Sequence, residues 1–391
     1  MPTCRVTTIF ICMPATPNTT GLPTLLLNAP TLLIRPKAIS TNLAALRAHV
    51  HAYAGSAAPR LWAVLKADAY GHGLVPTLSA VGLADGVAVG SLAELYDCRA
   101  AGWTKPILLL GLEQDVLPLA DPSIGQVHFV LHDEAQIHTL AQLPPHLDLH
   151  IWLRHAGQLN FSGLKGQAYA QAYQQLQVLL KRKIIAGLGH LQHYAYAEDP
   201  VRLQNERAAI LELQKALPGP LCTENSSALL ASPQFAAHTQ WVRSGVALYG
   251  INPLPGPSPI DLQAAMTLRA PLIAIQTLAP NEHLGYQASY TSPHRRRVGI
   301  VHCGYGFGYP RQIGSGCPCA VDGKASVILG RVSMDTLCVD LHHLPHARVG
   351  SQVSLWGEHG IHIEDVAACA GTIAAQLCTG LTARVQRHYL P

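Results

Sequence analysis

The chain has 391 residues, 49% of them hydrophobic and 13% charged, with a formal net charge of +4. That is enough apolar material for one large core plus a second domain, and too little positive charge to expect a nucleic-acid partner. No stretch is apolar for long enough to read as a membrane-spanning helix, so no membrane partner is expected.

In chain order, residues 1–25 come first. The apolar run from Val6 to Met13 is short, interrupted by two threonines and preceded only by Arg5. It reads as a disordered extension, or as a start codon assigned too far upstream, rather than as a signal peptide. A strand is expected at 31–34. Pro36 then suits the first turn of a helix on which Ile39, Leu43, Leu46 and Val50 recur at helical spacing. Further strands are expected at 61–65, 86–89, 107–110, 127–131, 147–153 and 184–188, with helices such as 168–181 and 201–217 between them. This alternation predicts a parallel sheet covered by helices, and its count suits a (β/α)₈ barrel of the TIM type over residues 26–255. The first strand is the one element that could instead join the following domain.

The proline-rich segment from Asn252 to Asp261 breaks the rhythm and marks a domain boundary. Beyond it, over 256–391, short β-branched runs at 272–278, 297–302, 325–329, 336–341 and 352–356 predict a mostly-β domain. A helix near 363–370 and a last segment at 383–387 close it. The ten cysteines are scattered, which favours reduced thiols in a cytoplasmic protein. Cys317-Pro-Cys319 lacks zinc-site spacing, the twenty-one histidines are dispersed, and no metal is expected. The basic run His294 to Arg297 reads as a solvated turn.

The densest chemical signal is Leu61-Trp-Ala-Val-Leu-Lys66-Ala-Asp-Ala-Tyr70-Gly71-His72-Gly73. A buried strand runs into a lysine and then into a glycine-punctuated loop. A lysine alone at a strand end most often snorkels to water. Partial desolvation at that point favours instead the neutral amine that a Schiff base requires.

This segment closely resembles the pyridoxal-phosphate lysine motif of the alanine racemase family. The resemblance continues in His193-Tyr-Ala-Tyr-Ala-Glu-Asp-Pro200, Asn225-Ser226-Ser-Ala228 and Arg243-Ser-Gly245-Val246-Ala-Leu-Tyr249-Gly250. It extends through Gly285-Tyr286, Gly304-Tyr305 and Gly330-Arg331-Val-Ser-Met334-Asp335 in the second domain. It implies a pyridoxal 5'-phosphate enzyme that interconverts L-alanine and D-alanine by a two-base mechanism through an imine of the cofactor, supplying D-alanine for peptidoglycan. Lys66 would hold the cofactor and act as the base on one face. Tyr286, presented across the interface of a homodimer, would act on the other. His193 and Arg243 would support that tyrosine, with Arg243 facing the pyridine nitrogen. A guanidinium only donates hydrogen bonds, so it would leave that nitrogen unprotonated. Tyr70, Ser226, Gly245 and the Val246 amide are the implied phosphate set, and the Met334 amide is implied to meet the substrate carboxylate.

The sequence also departs from the family pattern. Arg154 stands where many relatives carry a carbamylated lysine, and Phe161 where an arginine contacts the cofactor's phenolic oxygen and the substrate carboxylate. Cys222, Ser333 and Ala383 are smaller departures. Losing that guanidinium is worth roughly 1.5–3 kcal/mol of charged hydrogen bonding. The alternatives are therefore a racemase of broader or serine-shifted specificity, or a pyridoxal-phosphate-binding relative with little turnover.

Overall fold

The computed structural model describes residues 29–391. The extension expected over 1–25 lies outside the described residues. Strand β1 (Thr31–Ile34) comes first, followed by the helix Pro36–Ala54, which has proline in its first turn and buries Ile39, Leu43, Leu46 and Val50. Eight parallel strands then close a barrel. They are β2 (Arg60–Val64), β3 (Gly86–Val89), β4 (Ile107–Leu109), β5 (Val127–Leu131), β6 (Leu149–His155), β7 (Gly187–Gln192), β8 (Leu221–Cys222) and β9 (Trp241–Ser244).

The strand expected at 184–188 is displaced. Ile184 and Ile185 are buried in the connection after the helix Gly166–Lys181, and pairing with β6 begins at Gly187. Steric demand explains why two glycines sit inside this strand. A Cβ on Gly187 would strike the His150 ring, and one on Gly189 would lie 2.5 Å from Trp152 Cζ3.

The second domain is built on β10 (Met266–Leu278), the hairpin of β11 (His283–Leu284) and β12 (Tyr290–Thr291), and β13 (Arg296–Val301). To these are added β14 (Pro318–Val321), β15 (Lys324–Leu329), β16 (Leu337–Asp340), β17 (Gln352–Trp356) and β18 (Gln386–Tyr389). Its main sheet runs β13-β16-β15-β14-β17-β10-β1-β18, with a further β13–β10 pairing. Strand β1 lies in this sheet, antiparallel to β10 and parallel to β18. The chain thus starts in the second domain's sheet, builds the barrel, and returns.

Candidate active site

Side chains alternate along each barrel strand, so residues two apart share a face. The inward-facing set includes Trp62, Val64, Trp152 and Trp241. Trp62 and Trp241 stack with ring centroids 3.8 Å apart, and Trp152 Nε1 donates to His128 Nδ1 at 2.9 Å, plugging the lower barrel. Two residues further along β6 and β9 stand Arg154 and Arg243. Periodicity therefore places both guanidiniums at the C-terminal mouth, where barrel enzymes carry their chemistry. A cavity of about 750 Å³ opens there, walled by Lys66, Tyr70, Arg154, His193, Ser226, Arg243, Gly245 and Val246. Ala367 and Ile373 of the second domain close one side.

Lys66 leaves β2 into a turn the sequence did not announce. Ala67, Asp68, Ala69 and Tyr70 all have φ between 52° and 56°. A left-handed turn costs roughly 1–2 kcal/mol per non-glycine residue and persists only when its surroundings hold it. Here Asp68 N donates to Glu94 Oε1 at 3.0 Å, and Asp68 Oδ1 accepts from Leu74 N at 2.8 Å. His72 Nδ1 lies 3.0 Å from the carbonyl oxygens of both Ala69 and Tyr70. Gly71 and Gly73, also at positive φ, let the second domain close over the turn: a Cβ on Gly71 would strike the Cys378 carbonyl, and one on Gly73 the Tyr389 hydroxyl. The Lys66 side chain stays accessible from the open cavity in a single chain. Even so, surrounding protein lowers its amine pKa through desolvation first, then through the charges of Arg243 and Arg154.

Arg243 is fixed by its neighbours. Nη2 donates to the Gln192 carbonyl at 2.7 Å and the Thr223 carbonyl at 2.9 Å, and Nη1 lies 3.3 Å from His193 Nδ1. Its Nε is buried with no hydrogen-bond partner among the described residues. Burial, followed by the charges of Arg243, Arg154 and Lys66, pushes His193 down to about 3, so this imidazole is neutral at pH 7. Ser226 Oγ accepts from Gly245 N at 2.9 Å. A Cβ on Gly245 would lie 2.7 Å from Tyr70 Oη, so only glycine leaves this cradle open. The set offers an amine, an unpaired N–H and a backbone cradle, which suits a flat heterocycle carrying an anionic tail.

Two expected site residues stand elsewhere. Tyr286, in the turn between β11 and β12, is 66% exposed, Met334 is 53% exposed, and neither lines this cavity. They share one face of the second domain, because Arg331 bridges their two loops. Arg331 N donates to Ser289 Oγ at 3.1 Å and Arg331 Nη1 to Gln287 Oε1 at 2.7 Å.

Two supports escaped the sequence reading. Glu94 braces the Lys66 turn and also accepts from Gly90 N at 2.7 Å. The Ser91-Leu-Ala-Glu94 pattern signals a helix start, which it is, but not this second contact. Glu224, whose carbonyl accepts from Arg243 N at 2.8 Å, pairs in the interior with Arg207, and no local pattern marks that pair.

The family models described as "Alanine racemase, N-terminal domain" and "Alanine racemase, C-terminal domain" match residues 34–253 and 265–389. The alanine racemase of Bordetella avium is 39% identical over 363 residues, covering 90% of this chain and 96% of that protein. The alanine racemase of an Azoarcus species is 39% identical over 358 residues, covering 91% and 99%. The solved biosynthetic alanine racemase of Pseudomonas aeruginosa superposes with a TM-score of 0.84 at 32% identity, covering 93% of this chain and all of that one. In sequence over nine-tenths of its length, and in fold, this chain belongs to the alanine racemase family.

Proposed function

We propose that this chain is a pyridoxal-phosphate-dependent alanine racemase that works as a homodimer in the cytoplasm, making D-alanine for cell-wall peptidoglycan. The residues at the barrel mouth fit the cofactor. Lys66 is the attachment point, the buried Arg243 Nε is a donor without a partner that suits a ring-nitrogen acceptor, and Tyr70, Ser226, Gly245 and the Val246 amide suit its phosphate. When bound, pyridoxal phosphate supplies the electron withdrawal that makes a Cα proton removable near neutral pH. The protein's part is to orient that carbon and move its proton. Lys66 Nζ takes or returns the proton on one face, and the partner subunit's Tyr286 does so through Oη on the other. Arg243, anchored on two backbone carbonyls, keeps its donor edge fixed, and neutral His193 can accept its hydrogen bond at Nδ1 without adding a second positive charge.

The observation that carries this reading is a separation. The chain's own cavity holds Lys66 but not Tyr286 or Met334, which project from an exposed face of the second domain. Two copies that exchange these faces complete two sites. The test is direct. Purified protein should be yellow, borohydride should fix the cofactor to Lys66, and L-alanine should lose its optical activity. Colourless protein that ignores added pyridoxal phosphate contradicts the reading. A second reading, activity shifted toward serine, is favoured by the Phe161 ring at the cavity wall, and the ratio of kcat/KM for L-serine and L-alanine decides between them.

A further inference from the structure

Three arginines are buried among the described residues: Arg154, Arg207 and Arg243. Arg207 pairs with Glu224, and Arg243 is held by two carbonyls and a histidine. Arg154 differs from both. It is 8% exposed and, although an unpartnered Nε is common to all three, its guanidinium alone meets neither a carboxylate nor a carbonyl among the described residues. A buried cation without a counter-ion is costly and rare unless something outside the fold compensates it.

The surroundings of Arg154 are built rather than accidental. Its carbonyl accepts from Leu164 N at 2.9 Å, so the loop after β6 folds back over the strand end. Gly163 permits this at φ +90°, where a Cβ would lie 2.8 Å from Arg154 Cγ. The loop delivers Phe161, whose ring stands 5.6 Å from the guanidinium carbon. An aromatic face against a guanidinium takes no donors, because its N–H groups lie in the plane. The ring thus covers one face and leaves the donor edge to the cavity. Arg154 remains cationic at pH 7, since burial, with help from Arg243, pushes it down only to about 10. His132 at the same wall adds no second positive charge, being held neutral by burial at about 4.

We propose that Arg154, clamped by Phe161, is the residue that binds the carboxylate of the incoming amino acid. This rests on the racemase reading for the substrate's identity, but the anion site itself does not. Delivered from the strand rather than the loop, the charge approaches the substrate from the barrel wall. The exposed Phe161 ring stands at the same cavity wall as the guanidinium it covers.

The test uses holoenzyme and propionate, which is L-alanine without its amino group. Wild-type protein should bind propionate, measured by calorimetry. Arg154→Met should weaken that binding by about tenfold or more and raise KM for L-alanine in parallel, with the bound cofactor's absorbance spectrum unchanged. Arg154→Lys, which keeps the charge but not the fork, should fall between the two. It also keeps the test decisive if the methionine variant fails to fold. Propionate affinity unchanged in folded Arg154→Lys and Arg154→Met overturns the proposal. A shifted cofactor spectrum with propionate binding intact also overturns it, because Arg154 would then serve the cofactor's phenolic oxygen. Wild-type protein that binds propionate through Arg154 but does not racemise alanine refutes the racemase reading and leaves the anion site standing.

Discussion

Asp68 Oδ2 and Arg387 Nη1, 319 residues apart in the chain, meet at 2.6 Å. The pair ties the left-handed turn after Lys66 to β18, so the last strand of the second domain steadies the segment that presents the lysine. Both partners are substantially exposed, and such a pair is worth about 0.2–1 kcal/mol. Arg387→Ala should therefore lower stability only slightly. Asp68→Ala should cost more, because it also strips the acceptor of Leu74 N from a turn that is strained throughout. Chemical denaturation of the two variants checks the order, and equal losses would mean that the turn does not depend on Asp68.

The cradle at Gly245 makes a steric prediction. Gly245→Ala puts a methyl 2.7 Å from Tyr70 Oη and forces that ring aside. Overpacking of this kind costs about 1–3 kcal/mol. It should appear chiefly as weaker pyridoxal-phosphate affinity, measured by titrating apoenzyme and following absorbance. Adding Tyr70→Phe removes the clashing oxygen and should recover part of the packing. Unaltered cofactor affinity in Gly245→Ala would show that this backbone does not approach the phosphate.

Buried imidazoles give the fold an acid limit. Burial pushes His72 and His190 down to about 4 from the 6.5 of a free ring. As pH falls below about 6.5 the unfolded chain takes up these protons while the folded chain does not. Stability should therefore drop, by up to about 1.4 kcal/mol per ring per pH unit, until the folded rings titrate near 4. Above about 6.5 these rings contribute no pH dependence. Thermal unfolding followed from pH 8 to 4.5 should show a Tm that is level at first and then falls, with proton uptake on unfolding. A level Tm down to 4.5 would contradict the burial of these rings.

The sequence was legible where a repeat of period 2 or 3.6 meets a marked end. Ile39, Leu43, Leu46 and Val50 announced the first helix, and the run into Lys66 announced its strand. Side-chain bulk obscured the sixth barrel strand: Gly187 and Gly189 look like loop residues until His150 and Trp152 are seen to fill their space. The two-residue β8 is too short to carry a pattern. The left-handed turn was illegible because Ala67, Asp68 and Ala69 carry no local signal for positive φ, which is imposed from outside by Glu94, His72 and the second domain. Tyr286 and Met334 are expected at the site through family resemblance alone. In the chain's own fold neither lines the cavity that holds Lys66.

That separation makes one measurement the most direct. On the proposed shared site, Lys66→Ala and Tyr286→Phe would each damage a different half, so dimers of either variant should racemise alanine poorly, with losses on the order of 10²–10⁴ for a positioned acid–base group. Mixing the two under conditions that exchange subunits produces hybrids, in which one of the two sites combines an intact Lys66 with an intact Tyr286. With random exchange, about a quarter of all sites become complete. Racemisation should therefore rise on mixing to about a quarter of the wild-type rate. No rise, with hybrid formation verified by differently tagged subunits, would mean that Lys66 and the partner subunit's Tyr286 do not act on the same carbon.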